Sequence, residues 1–138
     1  MAELARIERI VFLQSVDIFS FCKAEEVLRI AAIANERSVA AGETIYGPGA
    51  AADSLYCVVR GGVGLRAADG STRVAGPLTT FGVLESLSGG PRTADAAAET
   101  ETLLLVIEVD DFFDLLAHNI EIIKALVRHL IPHFRESS

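Results

Sequence analysis

The sequence predicts an α+β fold: an antiparallel β-roll, double-stranded and jelly-roll-like, flanked by N-terminal and C-terminal helices. Three observations predict it. Apolar residues recur at three- and four-residue steps from Leu4 to Ala34. Between Ser38 and Glu108 that period gives way to short β-rich runs divided by glycine turns. From Asp110 onward helical spacing returns.

The first helix covers Leu4 to Gln14, with Ile7, Ile10 and Val11 on one face, and the second covers Lys23 to Ala34, with Val27, Leu28, Ile30, Ala31 and Ala34. Asp17 to Phe21 forms the bend between them. Glu25 and Glu26 oppose the dipole at the second helix start, and Asn35 is its expected stop. Strands follow at Glu43–Tyr46, Ser54–Val59, Val63–Arg66 and Leu103–Ile107, divided by Gly47-Pro48-Gly49, Gly61-Gly62 and Asp69-Gly70. Asp69-Gly70 signals a hairpin because both residues accept positive φ. Asp110 caps a turn through Leu116, and Ile120, Ile123, Leu126, Val127 and Leu130 line one face of a last helix that Pro132 should disturb. Residues 1–138 thus form one expected domain, with helices over about 3–34, the roll over about 38–108, a short helix over about 83–87 inside it, and C-terminal helices over about 110–134.

Composition narrows the function classes. At 138 residues, 51% apolar and 22% charged, the chain can bury a core without disulfides and is not a disordered polymer. A net charge of −7, with Lys and Arg scattered singly, argues against direct nucleic-acid binding. No apolar run is long enough to cross a bilayer, and Glu3 and Glu8 do not suit a signal peptide, so a soluble, cytoplasmic location is expected. The Ala-rich, Arg-over-Lys composition fits a bacterial source. Cys22 and Cys57 have no metal-like spacing and are expected to be reduced, small hydrophobic residues.

No catalytic constellation stands out, and no cofactor is called for. His129 and His133 are four apart but lack a placed acid and flank Pro132. Asp110, Asp111 and Asp114 suit a helix start and lack calcium-type spacing. The expectation is a non-enzymatic protein with no catalytic residues and no metal.

The chemistry is concentrated in Phe81 to Arg92, F-G-V-L-E-S-L-S-G-G-P-R. Gly82 can take left-handed backbone angles and leaves room for a ligand. The amides that open the short helix after it, at Val83 and Leu84, form an anion-binding end. Gly89-Gly90-Pro91 turns the chain and brings Arg92 back beside those amides, where its fork suits two phosphate oxygens. The same residues, taken alone, also fit a surface loop with a solvated Arg92.

With its flanks this stretch resembles the cyclic-nucleotide-binding domain family, which includes protein kinase A regulatory subunits, bacterial catabolite activator proteins and cyclic-nucleotide-gated channels. The resemblance spans nearly the whole chain through FLQSVDIFSF at Phe12–Phe21, VAAGETIYGPGAAADSLYCVVRGGV at Val39–Val63, FGVLESLSGGPRTA at Phe81–Ala94 and LLLVIEVDDFFDLL at Leu103–Leu116. It implies that the Val83 and Leu84 amides after Gly82, the Arg92 side chain and the Thr93 amide hold a cyclic phosphate, with the Thr93 hydroxyl leaving cGMP open beside cAMP.

In the family a glutamate directly after the glycine receives the ribose hydroxyl, and here that position is Val83. An unpaired sugar hydroxyl costs on the order of 1–3 kcal/mol. Glu85, two residues on, should point about 200° away from that place. A two-residue slip of the short helix would restore an acid but strand Phe81-Gly82. Phe81 and Glu85 are therefore the other candidate ribose or base contacts, and the phosphate half of the site is expected to stand open to an anion.

Two functional readings follow. One is a regulatory domain that binds cyclic nucleotide weakly or with altered selectivity and couples occupancy to the C-terminal helices. The other is a member that binds none and serves for docking or dimerisation through its C-terminal helix. The family's transcription factors append a helix-turn-helix domain for which the chain has no room before Ser138, so it is expected to act through a partner or as one domain of a larger regulatory or membrane protein.

Overall fold

A computed structural model of the protein describes residues 4–137, with side chains described for 4–132. Glu3 lies outside the described residues. The chain opens with α1 (Arg6–Gln14), a 3-10 turn at Asp17–Phe19, and α2 (Ala24–Ala32). Neither helix has a side-chain cap at its first boundary residue, Ala5 or Lys23. Instead a glutamate in the first turn reaches back: Glu8 accepts from the Ala5 amide at 2.9 Å and Glu26 from the Lys23 amide at 2.8 Å.

The first strand begins earlier than the periodicity suggests. β1 spans Ala34–Val39, so Ala34 and Asn35 are strand residues and not a helix end. They pair with β8 (Thr102–Glu108) in a register running from Ala34↔Ile107 to Val39↔Thr102. Non-local pairing with an apolar strand overrides the local helical pattern. Arg9 of α1 fixes the same corner, donating to Ala34 O and to the Glu36 carboxylate, both at 3.0 Å.

The other strands are β2 (Thr44–Tyr46), β3 (Ser54–Arg60), β4 (Val63–Ala67), β5 (Thr72–Ala75), β6 (Thr80–Phe81) and β7 (Ala94–Ala98), with α3 (Val83–Ser88) between the last two. They form two antiparallel four-stranded sheets, ordered β1-β8-β3-β6 and β2-β7-β4-β5. The expected α+β roll is therefore present. α4 (Val109–Ala117) and α5 (Ile120–Ser137) follow it. α5 runs through Pro132 without ending there, at the loss of one backbone donor near its C-terminal end.

Two apolar clusters explain the sequence pattern. Leu55, Cys57, Leu105 and Ile107 on the outer face of the first sheet pack with Leu13, Phe19, Ile30, Phe112 and Ile122 of the helices. Between the sheets lie Val39, Tyr56, Val58, Val63, Leu65, Phe81, Ala96 and Leu104. The first sheet is covered on both faces, so β3 and β8 are apolar without alternation. Each fully buried aromatic or aliphatic side chain contributes roughly 1.5–3 kcal/mol.

Two turns set the crossings. Gly61, at φ +90°, leads from β3 of one sheet to β4 of the other, and a Cβ there would lie 2.5 Å from Glu101 O. In the β4–β5 hairpin only Gly70 takes positive φ, at +87°. Asp69 does not; its Oδ1 instead accepts from the Ser71 amide and hydroxyl at 2.9 and 2.6 Å, an Asx turn. No helix among the described residues is long and apolar enough to cross a membrane.

Cys22 and Cys57 are both free thiols, Cys22 half-buried and Cys57 fully buried. Burial, with Glu26 nearby, pushes the Cys22 thiol up to about 11, and burial pushes Cys57 up as well. At pH 8 only about one Cys22 in a thousand is then thiolate. Iodoacetamide at that pH should label the folded protein very slowly and the guanidinium-denatured protein at both cysteines, as read by intact mass.

Candidate functional site

Phe81 ends a strand of the first sheet and Ala94 begins one of the second, so the segment between them is the bridge from sheet to sheet. Gly82 opens α3 at φ +73° and Gly89 closes it at φ +76°, both in the left-handed region. Pro91 then pairs with Ala51, while Gly49 N donates to Arg92 O at 2.8 Å and Arg92 N to Ala50 O at 2.9 Å. The Gly47-Pro48-Gly49 turn therefore holds the backbone from which Arg92 projects.

The Arg92 side chain is 1% exposed and turned into the roll. Nη1 donates to Gly82 O at 2.8 Å and Nη2 to Ser54 O. The guanidinium carbon sits 4.3 Å from the centre of the Tyr46 ring and 5.7 Å from that of Tyr56. Tyr56 in turn stacks on Phe81, centroids 5.0 Å apart and planes 9° from parallel. A buried cation against aromatic faces is stabilised by about 2 kcal/mol. Burial pushes the Tyr46 phenol up to about 12 despite Arg92, so the ring is neutral across the physiological range.

Ser86 completes this polar knot. It is buried, and its hydroxyl lies within hydrogen-bonding distance of both carbonyls that Arg92 uses, Ser54 O at 2.7 Å and Gly82 O at 2.8 Å. Gly82 is required sterically as well as conformationally. A Cβ there would lie 2.5 Å from Arg92 Nη1.

Glu85 does not stand apart from the phosphate-type donors. Its Oε1 is 3.4 Å from Arg92 Nη1, and its Oε2 accepts from the Thr93 hydroxyl at 2.6 Å and the Thr93 amide at 3.4 Å. The expectation of an open anion cradle is corrected here: an internal carboxylate lies on the donors that an external anion would use. The α3 helix keeps its place after Phe81-Gly82, without the two-residue slip, and Glu85 lines the same cleft as Val83 with its carboxylate on Arg92 and Thr93.

These residues border a cleft of about 380 Å³ between α3 and the β4–β5 hairpin, a size suited to a small ligand. Phe81, Gly82, Val83, Leu84, Glu85 and Thr93 line it, Phe81 buried and Leu84 largely exposed. Its charged side chains are Glu85 and Arg73, the latter exposed on β5; Arg92 is behind the wall. Of the site residues expected from sequence, the structure thus gathers all at one cleft edge, with Arg92 reaching it only through the Gly82 carbonyl and Glu85.

Sequence reasoning missed Tyr46, Tyr56, Ser54, Ser86 and Arg73. β3 is apolar on both faces, so no alternation marks Tyr56 as facing the roll interior, and nothing local marks Ser54 O as an arginine acceptor. Among the described residues no group of three His, Cys, Asp or Glu could hold a metal. The side chain of His133 lies outside those described.

A two-sheet roll whose crossover carries a glycine-opened short helix and a returning arginine is the architecture of catabolite-activator-type domains. The family model described as "Cyclic nucleotide-binding domain" matches residues 36–119, more than half of the chain, and the chain belongs to that family. The N-terminal domain of a transcriptional regulator from Streptomyces coelicolor A3(2) is similar at 30% identity and TM-score 0.80, over 92% of this chain and 94% of that one. The Thermus thermophilus catabolite activator protein is similar at 29% identity and TM-score 0.74, over 88% of this chain and 59% of that one. A structure from a cyclic-GMP-dependent signalling pathway that regulates bacterial phytopathogenesis is similar at 29% identity and TM-score 0.71, over 84% and 96%. No curated protein sequence matches the chain.

Removing the guanidinium leaves the Ser54 and Gly82 carbonyls to share the single Ser86 hydroxyl and an aromatic face without its cation. Arg92→Ala should lower unfolding free energy by about 2–4 kcal/mol in urea titrations, with Arg92→Lys in between, because one ammonium cannot span both carbonyls.

Proposed function

We propose that the protein is a non-catalytic regulatory domain that binds a cyclic nucleotide, cAMP or cGMP, in the cleft beside α3, weakly or with altered selectivity, and passes occupancy to its C-terminal helices. The observation that carries this is the convergence of Arg92 Nη1 and the Thr93 amide and hydroxyl on one anion, presently the Glu85 carboxylate, at the edge of the 380 Å³ cleft. Charge-assisted donors of this kind contribute roughly 1.5–3 kcal/mol each to an anion. The similar structures, one a catabolite activator protein and one from a cyclic-GMP-dependent pathway, support the ligand class.

The packing behind α3 supports the coupling to the helices. Val83 and Leu87 of α3 pack against the outer cluster that contains Phe112 of α4 and Ile122 of α5. Asp17, at the 3-10 turn, accepts from the Thr80 hydroxyl at 3.1 Å, and its amide donates to Leu78 O at 3.2 Å, just ahead of the cassette. A ligand that prefers one position of α3 would bias the helices by that differential affinity.

Calorimetric titration checks this reading. Both nucleotides should bind the wild type, Arg92→Ala should lose binding, and Val83→Glu should strengthen it by roughly tenfold to a hundredfold by restoring an acceptor for the ribose hydroxyl. Absence of heat for either nucleotide at millimolar concentration would reject it.

A second reading, a docking or dimerisation module, is favoured by α5. Ile120, Ile123, Val127 and Ile131 are exposed along one stripe at steps of three and four. A homodimer through this face is expected by sedimentation, and Ile123→Glu with Val127→Glu should make it monomeric. A strictly monomeric wild type would count against this reading. The chain spans 59% of the catabolite activator structure it resembles, and action within a larger regulatory or membrane protein is part of the same proposal.

A further inference from the structure

Glu85 is the acid that the ribose position lacks, yet it serves neither ribose nor solvent. Its side chain is only 25% exposed, and each of its oxygens lies against a donor of the cassette: Oε1 on Arg92 Nη1, Oε2 on the Thr93 amide and hydroxyl. A carboxylate and a phosphate are both acceptor-only anions with the same demand on such donors. Two anions cannot share them, because like charges a few ångströms apart repel strongly where water is scarce.

We propose that Glu85 is a built-in competitor for the phosphate of the ligand, an internal anion that must leave Arg92 and Thr93 before an external one can bind. The proposal rests on the cyclic-nucleotide reading for the identity of the ligand, while its mechanism applies to any phosphate group. Glu85 stands on the cleft side of a six-residue helix, and its side chain is long enough to turn out into the cleft it already lines. Displacement is therefore a rotamer change with no backbone movement. Its effect differs from that of Val83: the valine weakens only ligands that carry a ribose hydroxyl, whereas Glu85 weakens every anion at this place, inorganic phosphate included.

Titrations of wild type, Glu85→Ala and Glu85→Gln with cAMP, cGMP and inorganic phosphate test this, followed by heat and by the Thr93 amide resonance. Glu85→Ala should bind all three at least about tenfold more tightly than wild type, with a matching gain for phosphate and nucleotide, and Glu85→Gln should fall between. Glu85→Gln, which keeps the size of the side chain, carries the test if the alanine variant loses its fold. Nucleotide binding by the wild type that is unchanged or weakened in Glu85→Ala would overturn the proposal and leave the cyclic-nucleotide reading standing. Uptake of phosphate at Thr93 by Glu85→Ala, with no nucleotide bound by any variant, would do the reverse. A folded Glu85→Ala in which neither phosphate nor nucleotide moves the Thr93 resonance would overturn the proposal.

Discussion

The guanidinium of Arg92 joins three pieces of chain that are far apart in sequence: Ser54 at the start of β3, Gly82 at the end of β6, and Tyr46 on β2. Two belong to the first sheet and one to the second, while Arg92 itself lies on the crossover between them. A cation this deeply buried is costly unless acceptors and dipoles satisfy it. Here two backbone carbonyls, an aromatic face and one carboxylate meet that demand, with Nε left without a partner. The surrounding sequence follows from it. Gly82 has to lack a Cβ, Tyr46 has to present a ring, and the Gly47-Pro48-Gly49 turn has to fix the arginine backbone.

This arrangement divides the labour of one side chain. Nη2 and the ring contacts face the interior and hold the sheets together; only Nη1 is shared between a structural carbonyl, at 2.8 Å, and an anion, at 3.4 Å. An incoming phosphate would exchange with Glu85 at that one nitrogen and leave the Gly82 and Ser54 bonds in place. The shorter bond is to the carbonyl, so the fold has first claim on the arginine. Affinity for an anion is then the surplus left after Glu85 is displaced, which is a smaller quantity than the number of nearby donors suggests.

The roll was legible in the sequence wherever local chemistry and tertiary demand agree. The apolar runs of β3 and β8 and the glycines at 61 and 70 are such places, and so is the Phe-Gly start of α3. It was illegible where they conflict. Ala94–Ala98 has the composition of a helix, yet it is an inner strand between β2 and β4, because small side chains fit the narrow space between the sheets. Asn35 looks like a helix stop and is a strand residue for a similar reason, its partner being Val106, many residues distant. In the site, residue types and their order were visible at Gly82, Arg92 and Thr93. The direction of Arg92 was not, since burial of a cation depends on Tyr46 and Ser54, which the sequence separates from it by dozens of positions.

Val83 looks like a loss when the cassette is viewed only as a nucleotide site, but its surroundings give it another role. It packs with Leu87 against the outer apolar cluster to which Phe112 and Ile122 also belong, so the first turn of α3 is seated on apolar surface. A glutamate in its place would need a ligand hydroxyl or water to satisfy it and would loosen that anchor when the cleft is empty. With valine that turn stays seated whether or not a ribose is present. The far edge of α3 is held by Glu85, bound to Arg92 and Thr93. The carboxylate that fills the phosphate place is also a tie between α3 and the chain that leads into β7.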